Sequence, residues 1–533
     1  MNFALEEAYQ DMIRFAYTSF DRIVIRGFVP VMQRPGGFVV WARNLKPDEA
    51  IEDSWIQGLA RRCHQGVKTF ATERGIPIIR PAKGKRKHLF AETYRSQRGD
   101  EPGVYLIMQS RERAPVFRSR ERERCPNSSH RDITRKDGYV DYYYFYIVDR
   151  YWGPISLKFS SHAPFNVTVF LNGNRWLATE AQREGLKLRI LDNSIVSCDD
   201  PDALQRIADA LVWQRIQSVC EHWIYKVFPV FTLEERRRSR FRYQWFVVQI
   251  EMSHNMPFKS PKRLTKVLER HVDLNRKFLH PRSIKSVFCQ VPCGTYKPNT
   301  EEDVRHAFGG LTVIRVGYGK TNIKQYNNHM KTFRTEVVCN DPKDLGLRKG
   351  LAYLGELRHR LLRLVAAFHA AQAPVLETSC NDGELVDLAR PGVVGEARTP
   401  GIRLENERIM AVLAALPQLV HQSEGFRQAE LREIVSPDLT TAYRPTQAGY
   451  DLRKLRGKGL VTRVRGRHRY RATREGIRVA AFLLKLRDGL LEPILGNRRP
   501  NRTTRNVREP DRTYRAIALD LKRLCDHLGL RAA

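Results

Sequence analysis

The chain has 533 residues, too many for one ordinary core, and its 42% of hydrophobic side chains suffices to build two to four domains. A formal net charge of +34 exceeds what solubility needs and points to a polyanionic partner, nucleic acid ahead of an anionic membrane surface. There is no apolar run of spanning length, no signal peptide and no paired spacing among the nine cysteines, so the sequence predicts a cytoplasmic protein with reduced thiols and no membrane contact.

In chain order, residues 1–233 read as a mixed α/β domain. DRIVIRGFVPVMQRPGGFVVWAR, from Asp21, predicts two strands around a Pro-Gly-Gly turn. Residues 55–74 carry a helical apolar stripe ending at Gly75, followed by the strand IPIIR and a second strand, GVYLIMQS. The charged run 111–138 predicts an exposed loop. After it, YVDYYYFYIVDRYWGPISLKF and FNVTVFLNG read as strands separated by turns, and 178–185 and 202–224 as helices. Alternation places Tyr142, Tyr144 and Tyr146 on one face and Tyr143, Phe145 and Ile147 on the other. One open aromatic face could stack bases, but rings on both faces favour a central, covered strand. Asp149 closes that strand as a turn residue or a metal ligand. Asp21 opens the first strand as an acid does in nucleases of the ribonuclease H type; no partner carboxylates can be placed beside it, and a lone Asp there is usually structural.

Residues 234–372 read as an α+β domain. The basic knot EERRRSR leads into the strand RYQWFVVQIEM, a helix, strands at SIKSVFCQV, LTVIRVGYG, NIKQY and FRTEVVCN, and a long helix over 344–371. On FRTEVVCN, Arg334 and Glu336 share a face, as do Lys324 and Tyr326 on NIKQY and Gln249 and Glu251 on the opening strand. Pairing through the turn NNHMK would bring Lys324, Tyr326, Arg334 and Glu336 together, with Glu251 as a second acid. Such a set can hold Mg2+ on Glu251 and Glu336 and grip a phosphate through Lys324 and Arg334. A charged ladder on a solvated sheet face is the structural alternative. Cys289 and Cys293 form a lone C-x3-C, which disfavours zinc, and no P-loop, H-E-x-x-H or serine elbow is present.

Residues 373–403, rich in Gly, Pro and acids, read as a linker, and 496–533 as a basic tail with a terminal helix. Between them, 404–495 give three helices, a basic hairpin and a further helix. The text LRKLRGKGLVTRVRGRHRYRATREG resembles the winged helix-turn-helix of bacterial DNA-binding proteins. The recognition helix then offers Thr446, Gln447, Tyr450, Arg453, Lys454 and Lys458, and the hairpin Arg463, Arg465, Arg467, His468 and Arg469.

The segments YYYFYIVDRYWGP, APFNVTVFLNGNRWLA, IKQYNNHMKTFRTEVVCNDP and the winged helix together resemble an uncharacterised family of bacterial proteins, over nearly the whole chain. The family pattern is matched at Asp149, Asn172, Gly173, Trp176, Glu251, Lys324, Tyr326, Arg334 and Glu336. It is departed from at Asn174, where the pattern has His, and at Asn328, where it has Lys. The resemblance brings no activity with it. The text around Lys324, Tyr326 and Glu336 is also faintly similar to replication initiators of plasmids and phages. The expectation is therefore a multidomain α+β protein that binds DNA or RNA, of mobile-element or replication type, whose middle domain either supports metal-dependent phosphodiester cleavage or strand processing or holds a structured nucleic acid. A non-enzymatic RNA-binding component of a ribonucleoprotein, or a transcriptional regulator, is the alternative.

Overall fold

The computed structural model describes residues 3–82, 87–99, 101–121, 131–191, 193–228, 230–265, 267, 305–307, 311–328, 331–376, 387–394, 397–403, 406–419, 425–464, 468–487, 516–517 and 519–520. The helices are α1 (Ala4–Tyr9), α2 (Pro35–Leu45), α3 (Asp53–Glu73), α4 (Lys87–Arg98), α5 (Gly173–Arg183), α6 (Pro201–Asp209), α7 (Trp213–Val227), α8 (Leu233–Arg238), α9 (Leu354–Leu376), α10 (Glu407–Leu419), α11 (Gln428–Val435), α12 (Pro445–Gly457) and α13 (Arg474–Leu486). The strands are β1 (Tyr17–Phe28), β2 (Ile78–Ile79), β3 (Gly103–Arg120), β4 (Asp132–Asp149), β5 (Gly153–Ser160), β6 (Val167–Asn172), β7 (Leu188–Leu191), β8 (Ser194–Cys198), β9 (Gln244–Pro257), β10 (Arg305–Ala307), β11 (Leu311–Tyr318), β12 (Thr321–Asn328), β13 (Thr332–Cys339), β14 (Gly392–Val394), β15 (Ala397–Thr399), β16 (Val461–Arg463) and β17 (Tyr470–Ala472).

The chain divides into two compact units, one built mainly from residues 9–269 and 291–365, the other mainly from 366–533. The first unit is organised by a mixed sheet of eleven strands in the order β10-β11-β12-β13-β9-β1-β6-β5-β4-β3-β2, with the β2–β3 pair parallel. β1 lies near its middle and is buried along most of its length, polar Thr18, Ser19 and Asp21 included, with Arg22 and Arg26 exposed. Because β9 pairs with β1, the boundary expected at 233/234 runs through one sheet rather than between two domains. Several local expectations are corrected as well. FVVWAR is helix, not strand: Pro35 opens α2 at its first position, and a Cβ on Gly37 would fall 2.1 Å from the Val31 carbonyl oxygen, so the glycine serves close packing rather than a hairpin turn. Residues 111–138 are mostly strand, paired from Arg111↔Asp141 to Arg120↔Asp132; Ala114, Val116 and Ser119 are buried while Arg111, Arg113, Arg118 and Arg120 face solvent. The helix expected over 202–224 is two, α6 and α7, and SIKSVFCQV lies outside the described residues. The tyrosine strand β4 is covered on both faces: Tyr144 and Tyr146 pack with Ala91 of α4, and Phe145 packs on Phe70 of α3.

In the second unit, Ile409, Leu413 and Leu416 of α10 pack with Leu452 and Leu455 of α12 and Ala480 of α13. The segment expected as a linker contributes to this core through Leu388 and Ile402 and pairs as the β14–β15 hairpin. Among the described residues no helix is long and apolar enough to cross a membrane.

Candidate active site: a carboxylate cluster on the central strands

Sheet register builds the site. On β12 and β13, Lys324 lies opposite Glu336 and Tyr326 opposite Arg334. On β9, Glu251 lies opposite Val338, on the same face as Glu336 two residues along. Between Phe20↔Met252 and Ile23↔Ile250, β1 has two residues, Asp21 and Arg22, against the single Glu251 of β9. This bulge turns the Asp21 carboxylate toward the Glu251 face. Asp21, Glu251 and Glu336, on three adjacent strands, then each place a carboxylate oxygen within 4.8 Å of the others.

The surrounding side chains are as specific. Lys324 Nζ donates to Glu336 Oε1 at 3.2 Å, and the Tyr326 hydroxyl donates to Glu336 Oε2 at 2.8 Å. Arg334 is buried and ion-paired to Asp21, with its Nε 3.6 Å from Glu336 Oε2. Asn193 Nδ2 donates to Asp21 Oδ1 at 2.6 Å, and Gln249 Nε2 to Glu251 Oε1 at 2.9 Å. Asn193 is itself held by Asn172 and Asn174 at the start of α5, and the Ser19 hydroxyl of β1 donates to Asn174 Oδ1. The Asn172 side chain caps α5 by accepting the Arg175 N–H at 2.9 Å, which is why the helix begins at this point.

The three acids share the cations Arg334, Lys324 and Arg22, and their closeness to one another tells on Glu251. Burial, followed by the neighbouring charges of Glu336 and Asp21, pushes the Glu251 carboxyl up to about 7 against the pull of Lys324 and Arg22. Burial also pushes Asp21 up, with Arg334 and Asn193 opposing it. The Arg334 guanidinium stays cationic: burial alone would lower it, but Asp21, Tyr326 and Glu336 together raise it. Three hard oxygen donors suit a Mg2+-class cation, whose binding would favour the ionised form of Glu251.

The five catalytic residues expected from sequence, Glu251, Lys324, Tyr326, Arg334 and Glu336, come together in this one cluster. Asp149, expected as a metal ligand, does not join them. Its Oδ1 accepts the N–H groups of Tyr151 and Trp152 and its Oδ2 the Trp223 indole N–H, so it is a turn acceptor. Asp21 was missed as a ligand because strand alternation carries no sign of the bulge that re-aims it.

The expected nucleic-acid set divides. Thr446, Tyr450 and Arg453 on α12, and Arg463 and His468 of the hairpin, are exposed, with Arg463 and His468 3.2 Å apart. Lys454, expected on the outer face, is only 7% exposed and lends its charge to the buried Asp451, because its helical phase places it beside Leu455 in the core. Gln447 accepts the Arg444 N–H, Lys458 donates to the Asp387 carbonyl and Arg469 to the Gly425 carbonyl. Arg465 and Arg467 lie outside the described residues.

No protein-family model matches the chain, and no curated protein matches it. Among solved structures, the crystal structure of the di-domain ARO/CYC BexL from the BE-7585A biosynthetic pathway is aligned at 11% identity over 53% of this chain and 94% of that one, with a TM-score of 0.12, too low to carry an argument.

Proposed function

We propose that the chain processes nucleic acid, as proteins of mobile-element or replication type do, by divalent-cation-dependent phosphodiester cleavage at the cluster of Asp21, Glu251 and Glu336. The observation that carries this reading is the convergence of three carboxylates from three strands on a partly buried point, where burial and the two neighbouring acids raise Glu251. Mg2+ held there would polarise a phosphoryl oxygen and lower the pKa of a bound water. The Lys324 side chain, 31% exposed against 5% for Glu336, is placed to meet a phosphate oxygen. Arg334, committed to Asp21, orders the carboxylates rather than gripping substrate. In the second unit the order α10, α11, α12, the β16–β17 hairpin and α13 supports reading it as a winged helix-turn-helix, docking through Thr446, Tyr450, Arg453 and Arg463. The +34 charge supplies the non-specific attraction.

The test is cleavage of single- and double-stranded DNA and of RNA, with and without Mg2+. In Glu336→Gln, cleavage should fall by more than ~100-fold, beyond the loss expected for an outer-shell partner, while binding persists. Unchanged cleavage would sink the reading. One observation favours a second reading: Lys324, Tyr326 and Arg334 all engage Glu336, as members of a structural ion-pair network that holds strands together do. The chain is then the protein part of a ribonucleoprotein or a transcriptional regulator, and nucleic acid that co-purifies with it, identified by RNase and DNase digestion, separates these cases.

A further inference from the structure

A cavity of about 730 Å3 opens where the β4–β5 turn meets the C-terminal part of α5 and one face of α7. None of Asp21, Glu251 and Glu336 lines it. Its apolar walls are aromatic: Tyr151 and Trp152 from the turn, Trp176 from α5 and Trp223 from α7. Asp149 sets this geometry. Through its two oxygens it holds the backbone of Tyr151 and Trp152 and the Trp223 indole, whose Nε1 donates at 2.7 Å. The Trp152 and Trp176 rings lie 5.9 Å apart, and Tyr151 is 39% exposed at the mouth.

Every cation at the mouth stands over one of these rings. Arg183 lies 4.6 Å from the Tyr151 centroid and Arg150 5.9 Å from it; Lys226 lies 4.8 Å from Trp223 and Arg215 5.8 Å from Trp176. Glu180 offsets part of this charge, 2.8 Å from Arg183 and 3.9 Å from Arg215, while Asp149 is spent on the turn and the indole. Positive charge is therefore in excess around a π-lined cavity of the size that takes a small organic ligand. An acyl chain would leave the cations unused, and a bare phosphate would leave the rings unused. A planar aromatic group joined to a phosphate uses both.

We propose that this cavity binds a nucleotide unit, with its base against Tyr151 and the indole edges and its phosphate among Arg150, Arg183, Arg215 and Lys226. A free mononucleotide and an unpaired nucleotide of a strand present the same chemistry. The site shares no residue with the carboxylate cluster and stands whether or not that cluster cleaves.

The experiment titrates the full-length protein with AMP, GMP, CMP, UMP, adenosine and a short single-stranded oligonucleotide, following tryptophan fluorescence. Saturable quenching by at least one mononucleotide is expected, with adenosine binding at least ~10-fold more weakly than AMP for want of the phosphate. Arg183→Glu and Tyr151→Ala alter exposed side chains and should each weaken binding by ~10-fold or more. An oligonucleotide that binds more tightly than AMP and depends on Arg183 and Tyr151 assigns the site to a strand; AMP binding that the oligonucleotide cannot displace assigns it to the free nucleotide. Absence of saturable quenching by every ligand, or binding unchanged in both Arg183→Glu and Tyr151→Ala, overturns the proposal.

Discussion

Arg334 shows what a buried charge demands of its neighbours. It is almost fully enclosed, and Asp21 is its ion-pair partner from a strand 313 positions away in sequence. Removing one partner of such a pair leaves an uncompensated buried charge, and Glu336, 3.6 Å off, makes up only part of the loss. Asp21→Asn, which keeps shape but not charge, should therefore lower stability by about 3 kcal/mol, read as a reduced midpoint in urea unfolding at constant slope. An unmoved midpoint would mean that Asp21 is not the counter-ion of Arg334. A half-buried group gives a pH signature. Burial, then the nearby His64, pushes His162 down to about 4 from its ordinary 6.5, against the pull of Asp141. The unfolded chain then binds the extra proton first, so the His162 contribution is complete above pH 6.5 and is lost as pH falls toward 4. Stability should therefore fall from pH 7 to 5, and His162→Gln should flatten the pH dependence of the urea midpoint over that range. An equally steep dependence in His162→Gln would rule the residue out.

At the scale of elements, the start of α5 is the joint between scaffold and site. Asn172 caps the helix, Asn174 bonds to β1 and to the Asn193 carbonyl, and Gly173 between them sits so close to β1 that a Cβ would lie 2.4 Å from the Phe20 carbonyl oxygen. The obstacle is backbone, which cannot rotate away. Gly173→Ala should cost ~1–3 kcal/mol by overpacking and so lower the thermal midpoint, whereas Gly36→Ala, where a Cβ meets nothing within 4 Å, should change it little. Equal effects at the two positions would contradict the close approach. The β3–β4 arm shows where element-level reading fails. RERAPVFRSR looks like a solvated charge run, yet it is a strand paired along its length with β4, in which Ala114, Val116, Phe117 and Ser119 are buried between the exposed Arg111, Arg113, Arg118 and Arg120.

For the whole molecule, the net charge of +34 makes an ionic-strength prediction independent of any site. If nucleic acid is the partner and several phosphates are neutralised at once, affinity for an oligonucleotide should fall by roughly 10³-fold or more between 50 and 200 mM salt; affinity insensitive to salt would remove the electrostatic argument. The sequence by itself determined the charge, the period of each long strand and the face each polar residue occupies, so that Lys324, Tyr326, Arg334 and Glu336 were legible as one set and Glu251 as their neighbour. Alternation is a local property, dictated by the pleat. The tertiary structure alone decided that β9 lies between β13 and β1, that the expected domain boundary falls inside one sheet, and that a bulge turns Asp21 into the third carboxylate while Asp149 closes a turn elsewhere. Strand order and bulges depend on partners hundreds of residues apart. The free energy that selects among them comes from burial summed over the whole sheet, and no local window of sequence contains it.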